Sequence, residues 1–455
     1  MICDTMLVMK FGGTSVGSAD AIKNLGKIVK NQLEKAPIVV VSAVSKITDL
    51  LIETAKSAAA GKDIADNLKV LNEKHTAIMS ELKLDLPAVN SLLCEVGDKF
   101  NEIKKTKNLS AETLDLVQSF GERISANIVA AYLESIGAKA KPYGAYELGM
   151  ITNSNFGEAE IISATPAEIN KKIKQVMKSS SHVPVITGFI GKDKNGKITT
   201  LGRGGSDYSA AIIGAAIDAD EIQIWTDVSG VYSADPRIVK NAKKIEKISF
   251  AECSELAYFG AKVLHPKTIL PAMNKNIPVK VLNTFEAENS GTLILSDMKK
   301  SEETVKALTC KKNITLININ STRMLFAYGF LARVFYVFDK YNISVDMIST
   351  SEVSVSLTVE SNNDTKDSSV EKAMEELNQI ATTNIVRNKA IVCVVGAGLK
   401  NEIGIAGRIF TLMGEHNIHV EMISQGASEI NISFVVENDD AEKAVKLLHE
   451  EFIER

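Results

Sequence analysis

"MLVMKFGGTSVGSADAIKNLGKIVKNQLEKAPIVVVSAV", residues 6–44, carries the information that decides the fold. Its two ends, MLVMKF (6–11) and PIVVVSAV (37–44), are short, apolar and partly β-branched, so they read as buried strands. Between them ADAIKNLGKIVKNQLEK (19–35) repeats its apolar residues at helical spacing. Strand, helix and strand in this order make a βαβ unit, which implies a mainly parallel sheet covered by helices. At the end of the first strand stands Lys10, followed by Gly12, Gly13, Thr14 and Ser15. A P-loop places its lysine after the glycines, at the helix start. Here the lysine comes first and would project from the carboxyl edge of the sheet, where open α/β folds bind ligands. Read alone, the stretch is equally a phosphate site of another design or a strand-to-helix turn with a solvated lysine.

The same alternation continues. VPVITGFIG (183–191), KITTLG (197–202), EIQIWTD (221–227) and IPVKVLN (277–283) read as strands, and residues 49–135 as mostly helical. Asn195-Gly196 in GKDKNGK marks a hairpin turn. LGRGGSDYSAA (201–211) is a second glycine cluster between a strand and a helix, with Gly202, Gly204, Gly205 and Ser206 at the helix start. Helix N-termini present free N–H groups and a partial positive charge, so two such turns, carrying Lys10 and Arg203, can grip a polyphosphate or a carboxylate. Asp207 would by default complement the helix dipole. IWTDVSGVYSADPR (224–237) offers Thr226, Asp227, Tyr232 and Arg237 on a loop suited to a nucleotide. YFGAKVLHP (258–266) adds Lys262; His265, before Pro266, reads as structural. SFGERISA (119–126) puts Glu122 and Arg123 at a helix start, where the simplest reading is a surface ion pair.

The totals narrow the classes. A chain of 455 residues exceeds the usual size of one core, so two or three domains are expected. A net charge of −4 gives no general attraction for nucleic acid or anionic membranes, so an anion site must be built locally. The five cysteines are scattered without a C-x-x-C pair, which fits a reducing cytosol. MICDTMLVMK lacks the pattern of a signal peptide, and no apolar run approaches the roughly 18 residues that span a bilayer. A cytoplasmic protein is expected. No Cys/His or Ser/His/Asp arrangement is visible.

SDMKKSEETVK (296–306) reads as a linker, and beyond it the chain repeats. GFLARVFYVFDKYNISVDMIS (329–349) lies over GIAGRIFTLMGEHNIHVEMIS (404–424) at a constant offset of 75 residues. Each copy has the order βαββαβ of a ferredoxin-like unit. Domains are therefore expected at 1–296, 297–389 (linker and first small unit) and 390–455. Asp346 and Glu352 flank Ser349, Thr350 and Ser351 in the first copy. Because the second copy has Ala427 in place of the glutamate, this acidic, hydroxyl-rich stretch suggests a ligand with amino groups in one copy only. A solvated turn is the alternative.

KFGGTSVGS, SFGER, TLGRGGSD, WTDVSGVYSADPR and GAKVLHPKT, in this order and followed by two ACT-like repeats, resemble the aspartokinases of the amino-acid kinase superfamily. The resemblance covers essentially the whole chain, with no room for a fused dehydrogenase. It implies an amino-acid-kinase fold followed by two ACT domains. It also implies transfer of the γ-phosphoryl of ATP, with Mg²⁺, to the β-carboxylate of L-aspartate, the first step towards lysine, threonine and methionine. By motif position, Lys10 would stabilise the transferring phosphoryl and Gly12, Gly13 and Ser15 would line the phosphates. Asp207 would orient Lys10 or the metal shell rather than remove a proton. Arg203 would clamp the substrate α-carboxylate, Glu122 would receive its ammonium, and Ser42, Thr48 and Ser206 match substrate-side positions. Thr226, Asp227, Tyr232, Arg237 and Lys262 would hold the nucleotide. STRML (321–325) and the neighbouring YGFLA resemble the lysine-inhibited members, which implies a lysine site formed by Met324, Ser344, Val345, Asp346, Thr350, Ser351 and Glu352, with threonine an open alternative. It further implies a homodimer or dimer of dimers through the ACT domains. Competing readings are another small-acid kinase of the superfamily and an amino-acid sensor with a vestigial kinase domain.

Overall fold

A computed structural model describes residues 5–179, 182–260, 264, 266–296, 303–321, 328–360, 364–426 and 430–455. Lys262, His265, Met324 and Ala427 lie outside the described residues. The chain forms two compact units. One comprises Met1–Val231, Glu246–Phe250 and Val263–Asp297; the other comprises Tyr232–Ile245, Ala251–Lys262 and Met298–Arg455. Two excursions from the expected first domain, 232–245 and 251–262, thus fold with the second unit.

The strands of the first unit are β1 (Leu7–Phe11), β2 (Pro37–Val41), β3 (Ala140–Tyr143), β4 (Val183–Thr187), β5 (Ile190–Lys192), β6 (Ile198–Thr200), β7 (Glu221–Thr226), β8 (Lys247–Ser249), β9 (Val279–Asn283) and β10 (Thr292–Leu295). Eight of them form one sheet in the order β3-β4-β2-β1-β7-β9-β10-β8. Its pairings are parallel except β9 with β10. Every residue of β1 and β2 is buried, which is why both read as unbroken apolar runs rather than alternating ones. The helix Ala19–Lys30 starts where the Ser18 hydroxyl accepts the Ala21 N–H, and it carries Asp20 in its first turn and Lys27 and Lys30 in its last. β5 and β6 pair as the hairpin read from Asn195-Gly196.

One expectation fails here. SFGER lies in the middle of the helix Ala111–Ser135, not at a helix start. Ser110 caps that helix by accepting the Thr113 N–H, and nothing from Ala111 onward breaks it, so Glu122 sits three turns in. Gly121 lets the helix lie close to the turn after β2: a Cβ there would stand 2.6 Å from the Ala43 Cβ.

The second unit holds one six-stranded antiparallel sheet. Its strands are β11 (Ala307–Asn320), β12 (Val345–Thr350), β13 (Ser354–Glu360), β14 (Thr382–Val395), β15 (Met422–Ser424) and β16 (Asn431–Glu437), in the order β12-β13-β11-β14-β16-β15. The two repeats are interleaved rather than simply consecutive. Residues 307–311 of β11 pair with 391–395 of β14 and complete the second repeat, while 382–389 of β14 pair back onto 314–320 and complete the first. Residues 303–306, read as linker, are partly packed: Val305 and Lys306 are buried. The 75-residue repeat extends to the backbone. Gly329 and Gly404, at φ 74° and 83°, precede the helices Phe330–Lys340 and Ile405–Glu415, and Asn342 and Asn417, at 53° and 55°, follow them. No helix of the described residues is long and apolar enough to cross a membrane.

Candidate active site

The turns that follow β1, β2, β6 and β7 converge with one face of the helix Ala111–Ser135 on a cleft of about 630 Å³. The β1 turn supplies Lys10, Gly12, Gly13 and Thr14; the β2 turn supplies Ser42, Ala43 and Thr48. From β6 come Arg203, Gly204, Ser206 and Asp207, from β7 Thr226 and Asp227, and from the helix Gln118 and Glu122. Parallel strands leave their carboxyl ends on one edge, so residues more than 200 positions apart meet there. A second hollow of about 440 Å³ is lined by Asp49, Ile52, Glu53, Lys56, Ser57 and Lys62 and has no glycine among its lining residues.

Lys10 is the fourth residue of a buried central strand, in register with Val40 and Ile224. A charge there needs a partner, and Asp207 provides it at 2.5 Å, with the lysine side chain 9% and the aspartate side chain 16% exposed. Asp207 stands in the first turn of the helix Gly205–Ile217. The residue before that helix, Gly204, has φ 71°, a left-handed conformation that glycine adopts without strain. This turn aims the helix N-terminus, with its unsatisfied N–H groups, at the region that Lys10 borders. Phe11, next to Lys10, points to the opposite face and stacks on Trp225 with ring centroids 5.9 Å apart.

Glu122 departs most from its simplest reading. It is buried and makes no ion pair with Arg123, whose guanidinium instead lies 3.3 Å from Glu95. One carboxylate oxygen, Oε1, accepts the Ala43 N–H at 3.0 Å; the other, Oε2, is buried without a hydrogen-bond partner among the described residues. Burial pushes its pKa up to about 8, only partly offset by the Ala43 N–H. A buried acceptor of this kind, bordering a cleft, suits an incoming cation.

The cleft brings together eleven of the residues assigned from sequence: Lys10, Gly12, Gly13, Ser42, Thr48, Glu122, Arg203, Ser206, Asp207, Thr226 and Asp227. Arg203 is exposed and has no ion pair or hydrogen bond among the described residues, which leaves its five donors available. Ser15 is different. Its hydroxyl is buried, donates to the Trp225 carbonyl at 3.2 Å and shares a 2.7 Å hydrogen bond with Thr284, so it braces the turn. Tyr232 and Arg237 belong to the second unit, where Arg237 is paired with Asp235 at 2.5 Å.

Two residues on the Glu122 helix went unread. Gln118 borders the cleft, and Asp115 accepts hydrogen bonds from the Gly157 N–H (3.0 Å), the Thr200 N–H (2.8 Å) and the Thr200 hydroxyl (2.9 Å). Asp115, Gln118 and Glu122 fall at i, i+3 and i+7, three buried polar side chains on one face of the helix. That spacing was available in the sequence as a signal.

In the second unit, Ser344 precedes β12, and Val345, Asp346 and Thr350 lie on it. Ser351 and Ser354 close the turn to β13 through a 2.7 Å hydroxyl hydrogen bond, leaving Glu352 exposed. The Asp346 carboxylate is buried and already holds an ammonium group, that of Lys311, with both oxygens at 2.9 Å. Glu360 lies 2.9 Å from the same nitrogen. The second repeat has its own version, in which Lys389 pairs with Glu421 and Glu437.

Known proteins share both parts of the chain. Residues 5–283 match the amino acid kinase family, and residues 317–379 and 392–452 match an ACT domain. Aspartokinase 1, chloroplastic, of Arabidopsis thaliana is 39% identical over 98% of this chain and 80% of that protein. The crystal structure of E. coli aspartokinase III with aspartate and ADP is 34% identical, with a TM-score of 0.84 over 98% of this chain and 99% of that one. The same E. coli protein with lysine and aspartate gives a TM-score of 0.78 over the same shares at 34% identity. A cleft lined by two glycine turns, Lys10, Arg203 and Glu122, and a tandem ACT tail, thus coincide with end-to-end similarity, and the chain belongs to the amino acid kinase family, in its aspartokinase branch.

Proposed function

We propose that this chain transfers the γ-phosphoryl group of ATP to the β-carboxylate of L-aspartate and that lysine inhibits it through the ACT repeats. One observation carries the reading: a lysine–aspartate pair at a glycine turn and a buried carboxylate with a free oxygen border the same cleft. In the reaction, a carboxylate oxygen of aspartate bonds to the γ-phosphorus as the bond to the β–γ bridging oxygen breaks, and ADP leaves with the electron pair. A carboxyl group with an ordinary pKa near 4 is already ionised at neutral pH, so no base is needed. The obstacle is the approach of two anions, and positioned positive charge removes it. Lys10 supplies that charge, and Asp207 holds its ammonium in place. Gly12 and Gly13 admit the phosphates closely, Arg203 takes the α-carboxylate, and Glu122 takes the α-ammonium. Ser42, Thr48 and Ser206 line the substrate side. Thr226, Asp227, Tyr232, Arg237 and Lys262 hold the nucleotide.

Magnesium suits the donors. Mg²⁺ binds through one or two carboxylates plus substrate phosphates, and Asp207 and Asp227 both border the cleft. The ion would neutralise charge on the phosphate oxygens. For lysine, the engagement of Asp346 by Lys311 leaves Glu352 as the exposed acid of its stretch. Ser344, Val345, Thr350 and Ser351 supply polar and backbone groups, with Met324 nearby in sequence. A homodimer or dimer of dimers through the ACT repeats, and a cytoplasmic location, complete the reading.

A coupled assay of ADP release tests it. Release should require L-aspartate, should not be supported by glutamate or N-acetylglutamate, and should fall on adding lysine but not threonine. Aspartate-independent release would overturn the reading, and loss of activity with threonine alone would overturn the choice of effector.

The pKa of Glu122 gives a further expected result. At pH 7 the unliganded carboxyl is mostly protonated, and an arriving ammonium favours its ionised form, so aspartate binding should release up to about one proton. Calorimetry in buffers of different ionisation enthalpy measures this, and the KM for aspartate should fall as the pH rises towards about 8. The sign for stability is opposite. The folded-state pKa lies above the ordinary value of 4.5, so this group's contribution to the unliganded fold declines between pH 4.5 and about 8. Glu122→Gln should abolish both the proton release and that slope.

A further inference from the structure

Ser233, His449 and Glu454 stand in a line that the sequence does not show, since the serine is 216 residues from the histidine. Ser233 Oγ lies 2.8 Å from His449 Nε2, and His449 Nδ1 lies 2.8 Å from Glu454 Oε1. The partners fix the roles. Glu454 can only accept, so the Nδ1–H donates to the carboxylate, and in that tautomer Nε2 accepts the Ser233 hydroxyl, whose oxygen also accepts the Lys243 N–H at 2.8 Å. The constellation resembles that of a serine nucleophile, but its setting excludes that role. Ser233 and His449 are 2% and 0% exposed, and neither lines either of the two hollows described above.

What the line does hold is a loop. Every polar group of Ser233 is engaged: its N–H donates to the Lys243 carbonyl at 2.8 Å, and its carbonyl accepts the Leu308 N–H at 2.7 Å. Ser233 thereby closes the neck of the loop 233–243, which carries Arg237 and directly follows Tyr232. The C-terminal segment clasps the same loop twice more. Lys243 Nζ donates to the Ile453 carbonyl at 2.5 Å, and Asn241 Nδ2 donates to Glu454 Oε2 at 3.3 Å. Ala234 and Val239 from the loop are buried in one core with Val394, Ile432 and Leu448 of the second repeat. The loop is therefore part of the regulatory unit, although the residues on either side of it, Val231 and Glu246, belong to the first unit.

We propose that His449 is a positioning residue for nucleotide binding: through Ser233 it fixes the loop of Tyr232 and Arg237, so the last helix of the second repeat sets the affinity for ATP. The inference rests on the assignment of Tyr232 and Arg237 to the nucleotide. His449→Phe keeps the volume but removes both hydrogen bonds, and Ser233→Ala removes the hydroxyl. Each should raise the KM for ATP roughly tenfold, the effect of one lost buried hydrogen bond. Each should leave kcat within about twofold and the KM for aspartate unchanged, a split that general loosening of the fold would not produce. His449→Gln keeps an acceptor for Ser233 and should restore most of the affinity. Glu454→Gln, at the exposed end, provides the test should His449→Phe fail to fold, with a smaller rise of the same kind. Arg237→Ala and Tyr232→Ala serve as controls. If they raise the KM for ATP while the His449, Ser233 and Glu454 variants do not, the positioning role is wrong and the loop assignment survives. If they leave it unchanged, the loop assignment fails and the inference falls with it.

Discussion

Lys10→Ala should lower kcat by about a thousandfold or more, the scale on which a positioned cation acts in phosphoryl transfer. The expectation follows from the absence of any proton to move: charge is the main contribution the chain makes to the step. The variant will also lose stability, because it strands Asp207, whose side chain is only 16% exposed, beside an uncharged neighbour. Removing one member of a buried pair costs about 3–5 kcal/mol, and the value here should lie at or below the lower end given the residual exposure. The two losses are separable. Adding Asp207→Asn to Lys10→Met removes the stranded charge, so the melting temperature should recover while kcat does not. Recovery of both together would mean that Lys10 acts only by holding the fold.

Arg203→Ala should raise the KM for aspartate about a hundredfold, since a bidentate pair between guanidinium and carboxylate is worth up to about 3 kcal/mol. Stability should not change, because the side chain is exposed and makes no ion pair or hydrogen bond among the described residues. Arg203→Lys should restore little, as a point charge cannot make the planar two-bond contact. The comparison with β-alanine, which is aspartate without its α-carboxylate, isolates the contact. The wild type should strongly prefer aspartate, and Arg203→Ala should accept the two about equally poorly. A variant that still discriminates between them places the α-carboxylate elsewhere.

The kinase sheet was legible because a doubly covered parallel sheet leaves unbroken apolar strands, and 6–11 and 37–44 are such strands. The two glycine turns at the cleft were legible because glycines beside Lys10 and Arg203 follow strands. The placement of Glu122 was not. Gly and charged residues in SFGER suggested a helix start, whereas close packing of Gly121 on Ala43 explains the glycine within a continuous helix. Ser15 shows a second limit, because a hydroxyl in a glycine turn can face either a ligand or its own scaffold, and here Thr284 and Trp225 hold it. The exchange of strands between the repeats was hidden too. Both copies carry the same pattern, and only the antiparallel pairing of β11 with β14 reveals which strand completes which unit. Long-range side-chain partners such as Lys311 with Asp346, or Ser233 with His449, leave no local pattern to read.

The most direct test of carboxylate phosphorylation is to trap its product. With wild-type protein, ATP, magnesium and L-aspartate, hydroxylamine should convert the acyl phosphate to aspartyl hydroxamate in a one-to-one ratio with ADP, and Lys10→Ala should form neither. ADP without hydroxamate would mean that the phosphoryl group goes to water or another acceptor, and the proposed chemistry would be wrong.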